Sequence, residues 1–596
     1  MKRSRELEKV GDFTTTLRVL PIALMAIVIG LVGAYVALGL LRLIGFFTNL
    51  FYYQRLGDKL VSPAGNHLGW WAVLVPVAGG LIIGLMARYG SERIRGHGIP
   101  EAIESILIGG SKVPPRLAIL KPLSAALSIG TGGPFGAEGP IIMTGGAFGS
   151  MIAQFFRLTA VERKTLLVAG AAAGMSATFA APLAAILLAV ELLLFEWKPR
   201  SLIPVALASA TAGAARRYLI GLGPLFPTPP HPVFIGPEGL IGCVICGLLA
   251  GALSALLTGA VYAAEDAFAK LPIHWMWWPA IGGLVIGLGG MIFPQALGVG
   301  YDTIGSLLQG NGAIGVLLGI LLVKSTIWSV SLGSGTSGGV LAPLLMMGGA
   351  LGGLETSFLP AAGAGFWPLV SMGAILGGTM RSPFTGIVFA VELTHDINMI
   401  LPLLVAAVIA HAFTVLVLKR SILTEKVARR GFHLSREYSV DPLEVQFVRE
   451  VMRTRLIAFP ASGTIDEARN MVSGGRTVRG QHLYPVIDAN RRLIGVITRN
   501  DLAACRGERA HVSDIARRDA VVAIADEPLR IVVHRMAETG YTRMPVVDSA
   551  EELQVVGMVS LNDLLQARAR SLTEERSRER ILRIRLPFRA SAQSPR

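Results

Sequence analysis

The sequence predicts an α-helical polytopic membrane protein built from two homologous halves and followed by a soluble α/β domain pair. Three observations carry that prediction. The 596 residues are 52% hydrophobic with a mean hydropathy of +0.57, too apolar for one soluble core. Charged residues make up roughly 10% of positions 1–420 but roughly 29% of 421–596, so a membrane body gives way to a water-soluble tail. The apolar part also repeats itself, which sets its architecture.

Residues 18–46 (RVLPIALMAIVIGLVGAYVALGLLRLIGF) are long enough to span a hydrocarbon core of about 30 Å. They follow a basic segment, MKRSRELEK, but exceed a signal-peptide core and end in no small-x-small site, so they read as a retained helix. Further apolar runs lie near 70–88, 119–129, 141–157, 164–195, 202–220, 238–264, 274–293, 313–331, 338–358, 366–393 and 399–418. Several are short or broken by Gly and Pro. At membrane depth, broken backbone is tolerated only where protein buries it or it lines a cavity, a pattern of channels and transporters. The expected layout is an N-terminal segment (1–17), a membrane domain (18–431), a linker (432–447), two soluble repeats (448–502 and 511–570) and a basic tail (571–596).

The net charge of +15 fits Lys/Arg-rich flanks held on the cytoplasmic side of a cell (inner) membrane, which places the N-terminus and the soluble tail there. No basic stripe with interleaved aromatics stands out, so nucleic acid is not an expected partner. Cys243 and Cys246 lie in an apolar run (IGCVICGLLAG) without a second pair, which predicts helix-packing residues and no metal.

"SIGTGGPFGAEGPIIMTGGAFG" (128–149) aligns without gaps to "SLGSGTSGGVLAPLLMMGGALG" (331–352), matching Ser128/Ser331, Gly130/Gly333, Gly136/Gly339, Pro140/Pro343 and Gly149/Gly352. A second pair is "APLAAILLAVEL" (181–192) and "SPFTGIVFAVEL" (382–393). Repeats with interrupted helices favour a binding site between the halves. Three segments end in Pro just before an apolar helix: Gly96-His97-Gly98-Ile99-Pro100, Gly136-Ala137-Glu138-Gly139-Pro140 and Gly339-Val340-Leu341-Ala342-Pro343. Pro suits the first helical turn, and the amides before it are expected to stay unpaired at the positive end of the helix dipole. Such an end attracts an anion without a full cationic charge, which suits permeation.

Those three segments resemble the signatures of the CLC family of chloride channels and chloride/proton antiporters, G-x-G-I-P, G-[K/R]-E-G-P and G-x-F-x-P, in order, within a similarity spanning about 18–431. The resemblance implies an inverted-repeat helical bundle, a homodimer in a lipid bilayer and a chloride pathway in each subunit. It places Glu138 on the family's gating glutamate, whose carboxylate competes with the anion. Ionised, a buried carboxylate is costly unless helix amides hold it, which suits a group that protonates and swings away.

The sequence departs from the family pattern at several positions. Ala137 replaces the basic residue before the gate, His97 the serine of the first signature, Leu341 the phenylalanine of the third, and Leu423 aligns with the pathway tyrosine. A neutral imidazole at 97 can donate one N–H to an anion, or simply pack beside the pathway. Leu192 stands where the family's inner proton glutamate would be, next to Glu191, whose repeat equivalent is Glu392; the pairing favours a shared structural or helix-end role for both. Leucine relays no proton, so the expectation is a passive chloride channel, voltage-independent or pH-modulated, with a chloride/proton antiporter as the alternative. Fluoride or other anion export and a CBS-regulated cation transporter are further readings. No H-E-x-x-H or shared Ser/His/Asp set supports an enzyme.

The tail repeats strand, amphipathic helix, two strands and helix, and resembles a tandem pair of CBS domains. Thr498-x-x-Asp501 and Ser560-x-x-Asp563 match positions that hold a nucleotide ribose in such domains, and they read equally well as helix caps. An adenine nucleotide is the one ligand this resemblance raises for the tail, and no other cofactor is expected.

Overall fold

The computed structural model describes residues 15–107, 109–231, 235–430, 443, 446–473, 481–505 and 511–576. The expected linker falls almost wholly outside the described residues, as do most of the N-terminal segment and of the basic tail. The chain divides into two compact units near residue 436.

The first unit is helical and its two halves correspond, with one helix of the first half (Pro115–Gly130) matched in the second by two that a π-helical turn joins (Ile314–Gly319 and Ser325–Gly333). The first half runs α1 (Val19–Tyr53), α2 (Leu74–Tyr89), α3 (Ile99–Leu107), α4 (Pro115–Gly130), α5 (Glu138–Gln154), α6 (Ala160–Phe179), α7 (Pro182–Leu188, continued by a π-helical turn to Leu194) and α8 (Pro199–Leu219). The second runs α9 (Pro237–Ala269), α10 (Trp278–Ile292), α11 (Tyr301–Leu308), α12 (Ile314–Gly319), α13 (Ser325–Gly333), α14 (Leu341–Glu355), α15 (Phe366–Met380), α16 (Pro383–Thr394) and α17 (Ile400–Val417), and α18 (Ile422–Arg429) follows. Packing repeats as well: α1 lies against α6 and α8 as α9 lies against α15 and α17, and α2 meets α10 between the halves.

Six helical stretches among the described residues are long and apolar enough to cross a membrane, and others are too short. The apolar run at 164–195, read as continuous, breaks where Ala180 turns left-handed and Pro182 starts a new helix. The run at 366–393 breaks in the same way at Arg381 and Pro383. Each proline takes the first turn of a new helix, so each apolar run becomes two helices, α6 and α7 or α15 and α16. Cys243 and Cys246 are buried free thiols on α9; Cys246 Sγ also meets the buried Glu355 carboxylate at 2.5 Å, a contact the packing reading lacked.

The second unit holds two three-stranded sheets of matching topology. In one, β1 (Phe459–Pro460) pairs parallel with β2 (Leu483–Ile487), which pairs antiparallel with β3 (Leu493–Thr498). In the other, β4 (Ala523–Ile524), β5 (Arg543–Val547) and β6 (Val555–Ser560) repeat the arrangement, including a register shift at the same place. Each sheet packs its own apolar core, around Phe459, Tyr484 and Ile497 in the first and Val532, Met544 and Val559 in the second.

Candidate functional site

The non-helical stretches leading into α3, α5 and α14 meet inside the helical unit. Gly136 and Gly339, equivalent in the repeat, exchange two backbone hydrogen bonds of 3.1 and 2.8 Å. Gly96 N–H donates to the Thr336 carbonyl at 3.2 Å. A Cβ on Gly139 would collide with the His97 carbonyl oxygen and approach the Gly339 α-carbon at 3.4 Å, so here backbone packs directly on backbone. The three signatures identified in the sequence therefore touch one another.

Glu138 opens α5 and is fully buried. Its side chain reaches across the repeat: Oε1 accepts from the Ala342 N–H at 3.1 Å, at the start of α14. Oε2 has no hydrogen-bond partner among the described residues. The carboxylate thus occupies one helix N-terminus while its other oxygen packs against the Gly136 and Gly339 backbone.

The expectation that the amides before each proline stay unpaired holds only in part. Gly136 and Gly339 spend theirs on each other, and Gly98 N–H donates to Glu101 Oε2 at 2.9 Å. A buried amide without a partner costs about 1–3 kcal/mol, so the fold pairs those that can reach an acceptor. Glu101 in turn faces Lys426 and Arg430, each at 3.4 Å.

His97 is 3% exposed and its Nδ1 lacks a hydrogen-bond partner among the described residues. Ile99, Ala137, Val340, Leu341 and Ala342 are buried, and Pro100, Pro140 and Pro343 sit in the first turns of their helices. Leu423 is buried in the first turn of α18, which packs on α3 and so stands beside the first signature. Arg93, Arg95, Lys426, Arg429 and Arg430, together with Glu92, Glu104 and Glu265, line a cavity of about 460 Å³ that reaches Gly335. The Arg95 guanidinium lies over Trp275 and Trp278 at 4.5 and 5.7 Å.

Two lysines were missed. Lys121 is fully buried and donates to Ile94 O and Gly96 O, each at 2.8 Å. Lys324, also fully buried, donates to Ala296 O at 3.2 Å and Gly298 O at 3.1 Å. Each ammonium braces a glycine-rich lead-in. The signal was present, because the two lysines stand at the same spacing as the repeat glycines.

Glu191 and Glu392 cap each other's half. Glu191 Oε2 accepts from the Thr385 amide at 2.9 Å and its hydroxyl at 2.5 Å. Glu392 accepts from the Leu183 and Ala184 amides at 3.0 and 2.8 Å. Leu192 is fully buried.

In the soluble unit, Asp501 Oδ2 accepts from the Thr498 amide and hydroxyl, and Oδ1 accepts from Arg517 at 2.8 Å. Burial pushes the Asp501 carboxyl up, but the bonds from Thr498 and Arg517 outweigh it and hold the group below the usual carboxylate range. Asp563 repeats the pattern with Ser560 and Arg453. Both aspartates are thus helix caps already paired to arginine. A cavity of about 80 Å³ touches Thr498, Arg517, Tyr541 and Arg543.

Residues 79–415 match the family model for voltage gated chloride channels, and residues 448–507 and 512–570 match the CBS domain model. A sequence from Ralstonia nicotianae named as a ClcB-like chloride channel protein is 30% identical over 64% of this chain and 92% of its own length. The H(+)/Cl(-) exchange transporter ClcA of Klebsiella pneumoniae is 30% identical over 65% of this chain and 84% of its own. Among solved structures, a slow cyanobacterial Cl-/H+ antiporter shares the fold with a TM-score of 0.62 at 22% identity, covering 69% of this chain and 97% of its own.

Proposed function

The chain belongs to the voltage gated chloride channel (CLC) family, carries a CBS pair and transports anions, and we propose that it does so as a chloride/proton exchanger gated by Glu138. This replaces the passive channel that Leu192 suggested. The observation that carries it is the Glu138 carboxylate, buried and held through Oε1 on the Ala342 amide of the opposite half. An acid placed where an anion would bind must release that place to let the anion pass, and taking up a proton is what releases it. Anion and proton then use the site in turn, which is exchange. The 30% identity to an H(+)/Cl(-) exchange transporter supports the same reading.

In this mechanism the paired loops of Gly136 and Gly339 fix the two helix starts. Lys324 supplies positive potential toward Glu138. The basic cavity beside Gly335 collects anions. Glu191 is committed to the α16 cap, so the inner proton step falls to water rather than to a side chain at 191 or 192. The CBS pair takes an adenine nucleotide in this proposal, at the Thr498/Arg517 cleft, which must open to admit it because 80 Å³ is too small.

The test is proton movement in proteoliposomes. A chloride gradient alone is expected to drive protons uphill in the opposite direction. Chloride flux that settles at the chloride Nernst potential with no proton movement overturns exchange and restores the channel.

A further inference from the structure

The two lysine braces align a pair of segments that share few residues. Lys121 holds Ile94 and Gly96, and Lys324 holds Ala296 and Gly298, so "GHGIPE" (96–101) corresponds to "GVGYDT" (298–303). Backbone conformation agrees: Gly96 and Gly298 have φ of +85° and +65°, Gly98 and Gly300 of +90° and +80°. Helix α3 starts at Ile99 and α11 at Tyr301. Tyr301 is therefore the second-half counterpart of a residue in the first anion signature.

Its surroundings point to the same place. Gly300 packs against α14, where a Cβ would lie 2.8 Å from Met346 Sδ and 3.4 Å from Lys324 Nζ; Met346 is one turn beyond Ala342, which holds Glu138. The Tyr301 ring meets Phe179 and Phe226 edge-on, at 6.5 and 5.9 Å between centroids, and neither offers a hydrogen bond. The ring is partly exposed, yet its hydroxyl is sealed from solvent without a partner among the described residues. Glu138, held by Ala342 at the start of α14, has its own unpartnered buried atom in Oε2. The residue before Tyr301 and the Glu138 carboxylate both pack on the first two turns of α14, and two buried polar atoms without partners call for a ligand.

We propose that the Tyr301 hydroxyl donates a hydrogen bond to the transported anion at the Glu138 end of the pathway and favours small, charge-dense anions there. This rests on the reading of Glu138 as a gate: when the carboxylate leaves the Ala342 amide, the anion that replaces it lies within reach of Tyr301. A single neutral O–H donor strengthens the site without trapping the ion. It also supplies an aromatic hydroxyl to a pathway that has Leu423 at the aligned tyrosine position. Its contribution is about two- to tenfold in affinity.

The experiment compares the full-length protein with Y301F, which keeps the ring and removes the hydroxyl. Chloride affinity is measured by calorimetry, and chloride, nitrate and thiocyanate are compared in proteoliposome flux. Y301F is expected to bind chloride two- to tenfold more weakly and to shift preference toward nitrate and thiocyanate, which depend less on a strong donor. Unchanged affinity and selectivity overturn the proposal, and so does an equal loss for all three anions, which marks a packing role. If Y301F is not monodisperse, Y301H, which retains a donor, is compared with Y301L, and the same selectivity difference is required. E138A, run alongside, separates the two readings. Proton coupling that survives E138A defeats the gate, whereas an inert Y301F beside an uncoupled E138A defeats only the Tyr301 assignment.

Discussion

Glu191 accepts the Thr385 amide at 2.9 Å while Glu392, its repeat equivalent, accepts the Leu183 and Ala184 amides, so each half caps a helix of the other. The first amides of α7 and α16 have no partner within their own helices, and a carboxylate bonds such a helix end more strongly than a neutral group. Removing either cap should cost stability without changing transport stoichiometry. We expect Glu392→Ala to lose about 1–3 kcal/mol, with a smaller loss for Glu392→Gln, which keeps an acceptor. Thermal midpoints in detergent check the first part and chloride/proton ratios in liposomes the second.

Glu138 is the group whose loss should change the ratio itself. Glu138→Gln removes the titrating proton but keeps the shape, so chloride flux should persist while chloride-driven proton movement falls to background. The pH dependence of chloride flux should flatten in the same variant. Parallel recordings from a chloride electrode and a pH electrode decide it.

The two buried lysines should separate in effect although they are built alike. Lys121→Met removes a brace that faces Glu101 and Lys426, and its cost should appear mainly as lost stability. Lys324→Met also removes the cation that acts on Glu138. Losing that positive potential should weaken chloride binding as well as stability. Calorimetry with chloride, alongside melting curves, distinguishes the two.

Asp501 makes a pH prediction for the soluble unit. Its folded carboxyl is held below the ordinary value of about 4, so its stabilising contribution is present above pH 4 and is lost as pH falls through the depressed folded value. Asp501→Asn should therefore lower the melting point of that unit at pH 7, and the gap from wild type should narrow as the pH is lowered below about 4.

The same aspartate should matter for ligand binding. The cavity borders Thr498 and Arg517, while the Asp563 side chain is only 7% exposed. Binding of adenine nucleotides should be abolished by Asp501→Ala and preserved in Ser560→Ala, as read by calorimetry on the full-length protein.

Much of the site could be read without coordinates, because local chemistry writes it into the chain. Glycine followed by proline before an apolar run marks a helix start at any depth, and the spacing of the repeat locates both copies. Glu138 is conspicuous because a carboxylate in such a stretch is costly. The Lys121/Lys324 pair was equally visible in the spacing and was overlooked because lysine in an apolar run reads as a flank rather than a brace.

What the sequence by itself determined is the membrane body with its duplicated halves, the three glycine–proline signatures and the two-domain tail, since each depends on neighbours in the chain. Only the tertiary structure decided which amides remain for an anion, because Gly136 meets Gly339 and Glu101 reaches Gly98 through folding alone. It also gave the helix-end role expected of Glu191 and Glu392 its partners, each in the opposite half, and set Gly300, beside Tyr301, against α14. Those outcomes depend on contacts between residues far apart in the chain, and no local pattern encodes a buried hydroxyl's partner.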